Sequence, residues 1–131
     1  MSKKILNLAI IFLGLSLISG VFYREFTKYF AYTSYTTLSV VHTHLFVLGT
    51  MFLMILYLIT KSSNIDISRA LKVYAIGLFI TSVSMLINGV FDVITKSAYS
   101  NIILVCFSGI GHLMLGVGLI WIMYTIKMKL N

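Results

Sequence analysis

The chain has 131 residues, of which 60% are hydrophobic and 10% charged, with a formal net charge of +7. Soluble domains carry about 25% charged residues, and a chain this short forms one domain and cannot bury so much apolar surface within itself. Lipid must take up the remainder, as the mean hydropathy of +1.03 also says. A disordered chain is excluded, and so is a secreted disulfide scaffold, since Cys106 is the single cysteine. The Lys and Arg residues sit at segment ends rather than in a patch, so no nucleic-acid partner is expected.

In chain order, four charge-free stretches are long enough to cross a bilayer: 5–23, 37–60, 73–91 and 101–126. A hydrocarbon core of about 30 Å needs roughly 20 helical residues. Lipid offers the backbone no partners, so these are helices. The first stretch follows Lys3 and Lys4 as a signal peptide would, but it is too long and lacks a small-x-small cleavage pattern. It reads as a retained helix. Short connections then predict an all-α membrane protein of four antiparallel transmembrane helices, one domain over residues 1–131.

Charge sets the expected orientation. Lys3, Lys4, Lys61, Arg69, Lys72, Lys127 and Lys129 fall on one side, and Arg24, Lys28 and Lys96 on the other. The positive-inside rule puts both termini in the cytoplasm. Glu25, Asp66 and Asp92 lie at span ends or in a loop. The chain has no proline, which argues against a transporter built on broken helices. Trp121, Tyr124 and Tyr57 read as interfacial belt residues. A composition rich in Ile, Leu, Lys and Tyr fits a bacterial source with an AT-rich genome, and the expected location is the bacterial cytoplasmic membrane.

All three histidines fall inside spans: His42 and His44 in the second, His112 in the fourth. An ionisable residue in a transmembrane helix is a functional hypothesis by default. At about 1.5 Å rise per residue, the three lie roughly 8, 10 and 16 Å below the start of their spans, which allows one layer. Residues two apart on a helix diverge by about 200°, so His42 and His44 point to opposite sides and do not chelate one ion together. Gly49 is expected to share the His42 face with Ser39 and Phe46, leaving room for something flat. Ser108 and Gly116 flank His112 on one face. The plain alternatives are helix packing for the glycines and a cross-bundle hydrogen bond for His112. Neutral imidazole ligates iron, copper and zinc. Cys106 is the one thiol near this depth and stands on another face from His112. A bis-histidine haem needs one imidazole on each side of its ring and a greasy pocket, and this pattern supplies both.

The run Val40-Val41-His42-Thr43-His44-Leu45-Phe46-Val47-Leu48-Gly49 resembles the His-x-His helix of haem–copper oxidase subunit I. In that family the helix carries ligands to two haems, one on each face, and stands second in an arc of four helices. The large subunit has three such arcs. The resemblance implies that this chain corresponds to one arc, and that a homotrimer would rebuild the ring. His42 of one subunit and His44 of the next would then clasp a haem. The chain as a whole is similar to a small family of uncharacterised bacterial four-span proteins, through Gly20-Val21-Phe22-Tyr23-Arg24-Glu25-Phe26 and Leu38-Ser39-Val40-Val41-His42-Thr43-His44.

Two departures matter. Thr43 stands where the oxidases carry an aromatic, and the third span offers no histidines for a copper centre. The expectation is therefore a b-type haem protein for electron transfer, haem handling or redox sensing rather than oxygen reduction. Its axial ligands come from His42, His44 and His112, with His42 and His44 the first choice. A variant places one haem between His44 and His112 within one chain. Arg24 is a candidate contact for haem propionates, against plain headgroup anchoring. A respiratory-chain partner would exchange electrons with it. The rival readings are a cofactor-free assembly factor or small subunit of a larger complex, and a copper-binding protein using histidine with Met51, Met54 or Met114.

Overall fold

A computed structural model describes residues 2–63, 65–97 and 101–130, the last without its side chain. Four helices are long and apolar enough to cross a membrane: Ser2–Tyr29, Leu38–Ser63, Ser68–Thr95 and Ile102–Leu130. Among the described residues there is no strand. Each helix runs past the charge-free stretch that announces it. Freedom from charge marks what can lie in hydrocarbon, whereas Lys3, Lys4, Arg24, Glu25 and Lys28 continue the first helix into the headgroup region without breaking its hydrogen bonds.

Consecutive helices pack side by side, each antiparallel to the one before, and the contacts fix the register. Between the first and second helices, Gly20 lies against His42 and Gly49 against Phe12. The Ser16 hydroxyl donates to the His42 carbonyl at 2.8 Å. Between the second and third, Thr36 and Thr37 just ahead of the second helix donate to the carbonyls of Gly89 and Met85 at 3.0 and 2.8 Å. Further along, the Tyr74 hydroxyl donates to the Leu48 carbonyl at 2.8 Å. The fourth helix packs along the third. Only 11% of its most apolar stretch is buried, against 44% for the third helix, so one flank of the array stays open to lipid.

The second helix is not α-helical throughout. Leu38–His44 and Phe52–Ser63 are α-helix, and Leu45–Met51 between them is π-helix. The wider i→i+5 turn begins one residue after His44 and turns the lower half of the helix relative to the upper. Gly49 sits in this segment. A Cβ built on it would lie 2.7 Å from the Cβ of Phe12. The expectation that something flat approaches at Gly49 is therefore corrected: the buried Phe12 ring of the first helix already fills the space.

Small residues set the third-to-fourth contact. A Cβ on Gly118 would stand 2.6 Å from the Tyr74 amide nitrogen, and one on Gly77 would stand 2.9 Å from the Gly111 carbonyl oxygen. Backbone cannot move aside as a flexible side chain can. Transmembrane helices gain no hydrophobic driving force from each other, so this closeness supplies the dispersion contacts that hold them. Where the chain re-enters the third helix, Ser68 gives both its hydroxyl and its amide to the Asp66 carboxylate, which holds that carboxyl below its ordinary range.

Gly77→Ala and Gly118→Ala should each lower stability by about 1–3 kcal/mol, the usual cost of overpacking. Gly14→Ala, where nothing lies within 4 Å, should not. Detergent-titrated unfolding followed by circular dichroism checks the contrast.

Candidate functional site

The structure sends the two histidines of the second helix to different neighbours. The His42 ring lies against the first helix, where a Cβ on Gly20 would meet its Cβ and Cγ at 3.7 Å. Its Nδ1 is buried and has no hydrogen-bond partner. His44 instead faces the fourth helix. Its ring centre stands 6.5 Å from that of His112, with the ring planes at 82°.

The same local device orients His44 and His112. The Nδ1 of His44 is 3.0 Å from the Val40 carbonyl oxygen, and the Nδ1 of His112 is 2.7 Å from the Ser108 carbonyl oxygen. Each partner is the residue four back on the same helix. A carbonyl only accepts, so Nδ1 carries the proton in both rings, and Nε2 presents its lone pair. Metal-ligating histidines are built this way: the second nitrogen donates to a carbonyl or carboxylate, which fixes the tautomer and raises ligand basicity. His42 lacks that support.

The spacing suits one metal ion between the rings. With metal–nitrogen bonds of about 2.0–2.1 Å, two imidazoles bound through Nε2 on opposite sides hold their centres about 6 Å apart. Among the described residues no group of three His, Cys, Asp or Glu side chains converges on a point. From these residue types the pair does not reach the three or four protein ligands of a tetrahedral zinc site. It does suit a metal that brings its own equatorial donors.

The flank of the fourth helix around His112 is uncovered. The ring is exposed, and a Cβ added at Gly109 or Gly116 would meet nothing within 4 Å. The glycines of the fourth helix thus divide by face. Gly111 and Gly118 serve close packing on the third helix, and Gly109 and Gly116 border open space. Beside the pair, on the third helix, Thr81 is fully buried with its hydroxyl unpartnered, and it touches the place where a Gly111 Cβ would be. Sequence reasoning passed over Thr81. The signal was there as a mid-span run of hydroxyls, Thr81-Ser82-Val83-Ser84.

Arg24 is not part of this arrangement. It lies one turn beyond Gly20 on the first helix, and its exposed guanidinium pairs with Glu25 at 3.7 Å. Cys106 is exposed as well. Compared with known proteins, the chain matches, over residues 2–129, the sequence model of a family described as a protein of unknown function, DUF2871. No curated protein and no solved structure matches it.

Nitrogen-15 NMR of the detergent-solubilised protein at neutral pH should report His44 and His112 as Nδ1–H tautomers. A majority Nε2–H signal from either ring would overturn the assignment.

Proposed function

The chain belongs to the DUF2871 family, and we propose that it is a multi-pass membrane protein that binds a b-type haem between His44 and His112. One observation carries this reading: two imidazoles, each held through Nδ1 by a carbonyl of its own helix, stand with ring centres 6.5 Å apart, and no group of three His, Cys, Asp or Glu forms among the described residues. A porphyrin iron needs two axial ligands and no more from the protein. The open space at Gly109 and Gly116 suits the macrocycle, and apolar surroundings suit its body.

A haem held by His44 and His112 would supply one-electron redox chemistry. Everything else falls to the chain. The carbonyls of Val40 and Ser108 hold the two rings in orientation and keep the protons on Nδ1. With both histidines holding the group, the roles we propose are electron transfer, haem handling or redox sensing, with a respiratory-chain component as partner. The ten basic residues divide seven to three, which supports both termini in the cytoplasm of a bacterial cell and the histidine layer toward the outer surface. Arg24 and Lys28 stand at that surface, where propionates would seek cations.

A second arrangement retains the homotrimer. The His-x-His helix resembles that of haem–copper oxidase subunit I, and in a closed ring of three arcs His42 would reach a haem held by a neighbour's His44. The fourth helix, bare over most of its length, leaves surface for such an assembly. The unpartnered Nδ1 of His42 favours the within-chain pair as the built site.

Absorption spectra of the purified protein, expressed with ample haem and recorded oxidised and dithionite-reduced, test both. The within-chain reading expects split low-spin α and β bands on reduction and one haem per chain. His44→Ala and His112→Ala each lose the haem, while His42→Ala keeps most of it. Loss with His42→Ala and retention with His112→Ala would select the trimer clasp. A featureless spectrum with no bound iron would favour a cofactor-free assembly partner, and bound copper without haem a copper carrier.

A further inference from the structure

The first and third helices begin at the same membrane surface, and a cleft of about 410 Å³ lies between their first turns. Lys4 and Leu8 line it from the first helix, and Ser68, Lys72, Ala75 and Ile76 are among its residues from the third. Both walls change character at one level. Lys4 is the last charge before the charge-free stretch 5–23, and Lys72 the last before 73–91. One turn further on, at Leu8 and at Ile76, each wall is apolar. The two lysines thus stand at the hydrocarbon boundary, where their long stems carry the ammonium groups out to the level of lipid phosphates. Cations at the mouth and hydrocarbon surface below match the profile of a phospholipid.

Charge selects the head group. Among the described residues no carboxylate lines this cleft. Asp66, the carboxylate nearest in sequence, accepts from the amide and hydroxyl of Ser68 and lines a separate pocket with Arg69 and Trp121. Both helices also present their N-terminal ends here, which carry partial positive charge. A zwitterionic head would bring an ammonium group to a place with two like charges and no carboxylate to receive it. An acidic head brings negative charge alone.

We propose that this cleft binds an acidic phospholipid, with its phosphate between the Lys4 and Lys72 ammonium groups and the upper part of one acyl chain against Leu8, Ala75 and Ile76. Basic pockets between transmembrane helices hold acidic head groups in this manner. A free phosphate would use the cations alone and leave the apolar walls uncovered, so the walls single out a lipid. The first and third helices each pack mainly on a neighbour rather than on each other. A lipid seated here therefore joins two helices that the protein itself leaves apart. The binding does not depend on the haem reading.

The test titrates the full chain in detergent with dioleoyl phosphatidylglycerol or dioleoyl phosphatidylcholine and counts bound lipids by native mass spectrometry. The first phosphatidylglycerol should bind more tightly than the first phosphatidylcholine. Lys4→Gln and Lys72→Gln should each weaken it by about fivefold, the worth of one cation at a lipid surface. Ala75→Trp, which fills the cleft, should weaken it with helicity unchanged. The double variant Lys127→Gln/Lys129→Gln, which removes two charges from the same surface on another helix, should bind as the parent does. Equal affinity for the two lipids, binding unaffected by both single lysine variants, or an equal loss in the Lys127→Gln/Lys129→Gln variant would overturn the proposal in favour of diffuse attraction. Displacement by inorganic phosphate as effective as by the lipid, or full binding in Ala75→Trp, would reduce the cleft to a phosphate site and equally overturn it.

Discussion

Inside hydrocarbon a polar group has no water to turn to, and that constraint explains most of what these helices do with their side chains. Thr36 and Thr37 tie the start of the second helix to carbonyls of the third. Ser16 takes the carbonyl of His42. The π-helical segment is the severe case, because a change from i→i+4 to i→i+5 bonding leaves backbone groups without their usual partners. The Tyr74 hydroxyl supplies one at Leu48, and its ring, fully buried, packs on Phe52 with ring centres 5.0 Å apart. The irregularity just below His44 is thus held from outside its own helix.

The same rule makes the exceptions informative. The buried atoms without partners, at His42, Thr50, Thr81, Ser82 and Asn88, gather in the two middle helices. Thr81, fully buried, lies against Gly111 in the contact between the third and fourth helices.

The four helices were legible because length, apolarity and absence of charge are local properties. So was the divergence of His42 and His44, which follows from helical angle alone. Which histidine meets which was not. It depends on the close seating of Gly111 and Gly118 on the third helix, which sets the height of His112, and this is a tertiary fact. Gly49 shows the same limit from the other side: its small size was plain, but the ring that fills the gap comes from Phe12, 37 positions earlier in the chain. The π segment carries no proline or other break to announce it. Its contacts are with both neighbours, Phe12 of the first helix and Tyr74 of the third.

The bare fourth helix has a consequence for traffic. His112 is exposed on the flank of the fourth helix that the array leaves uncovered. A hydrophobic group arriving there never leaves the oily phase, so its delivery needs no channel. The second and fourth helices do not pack closely on each other, so a group bound at the proposed site would enter between them by lateral diffusion.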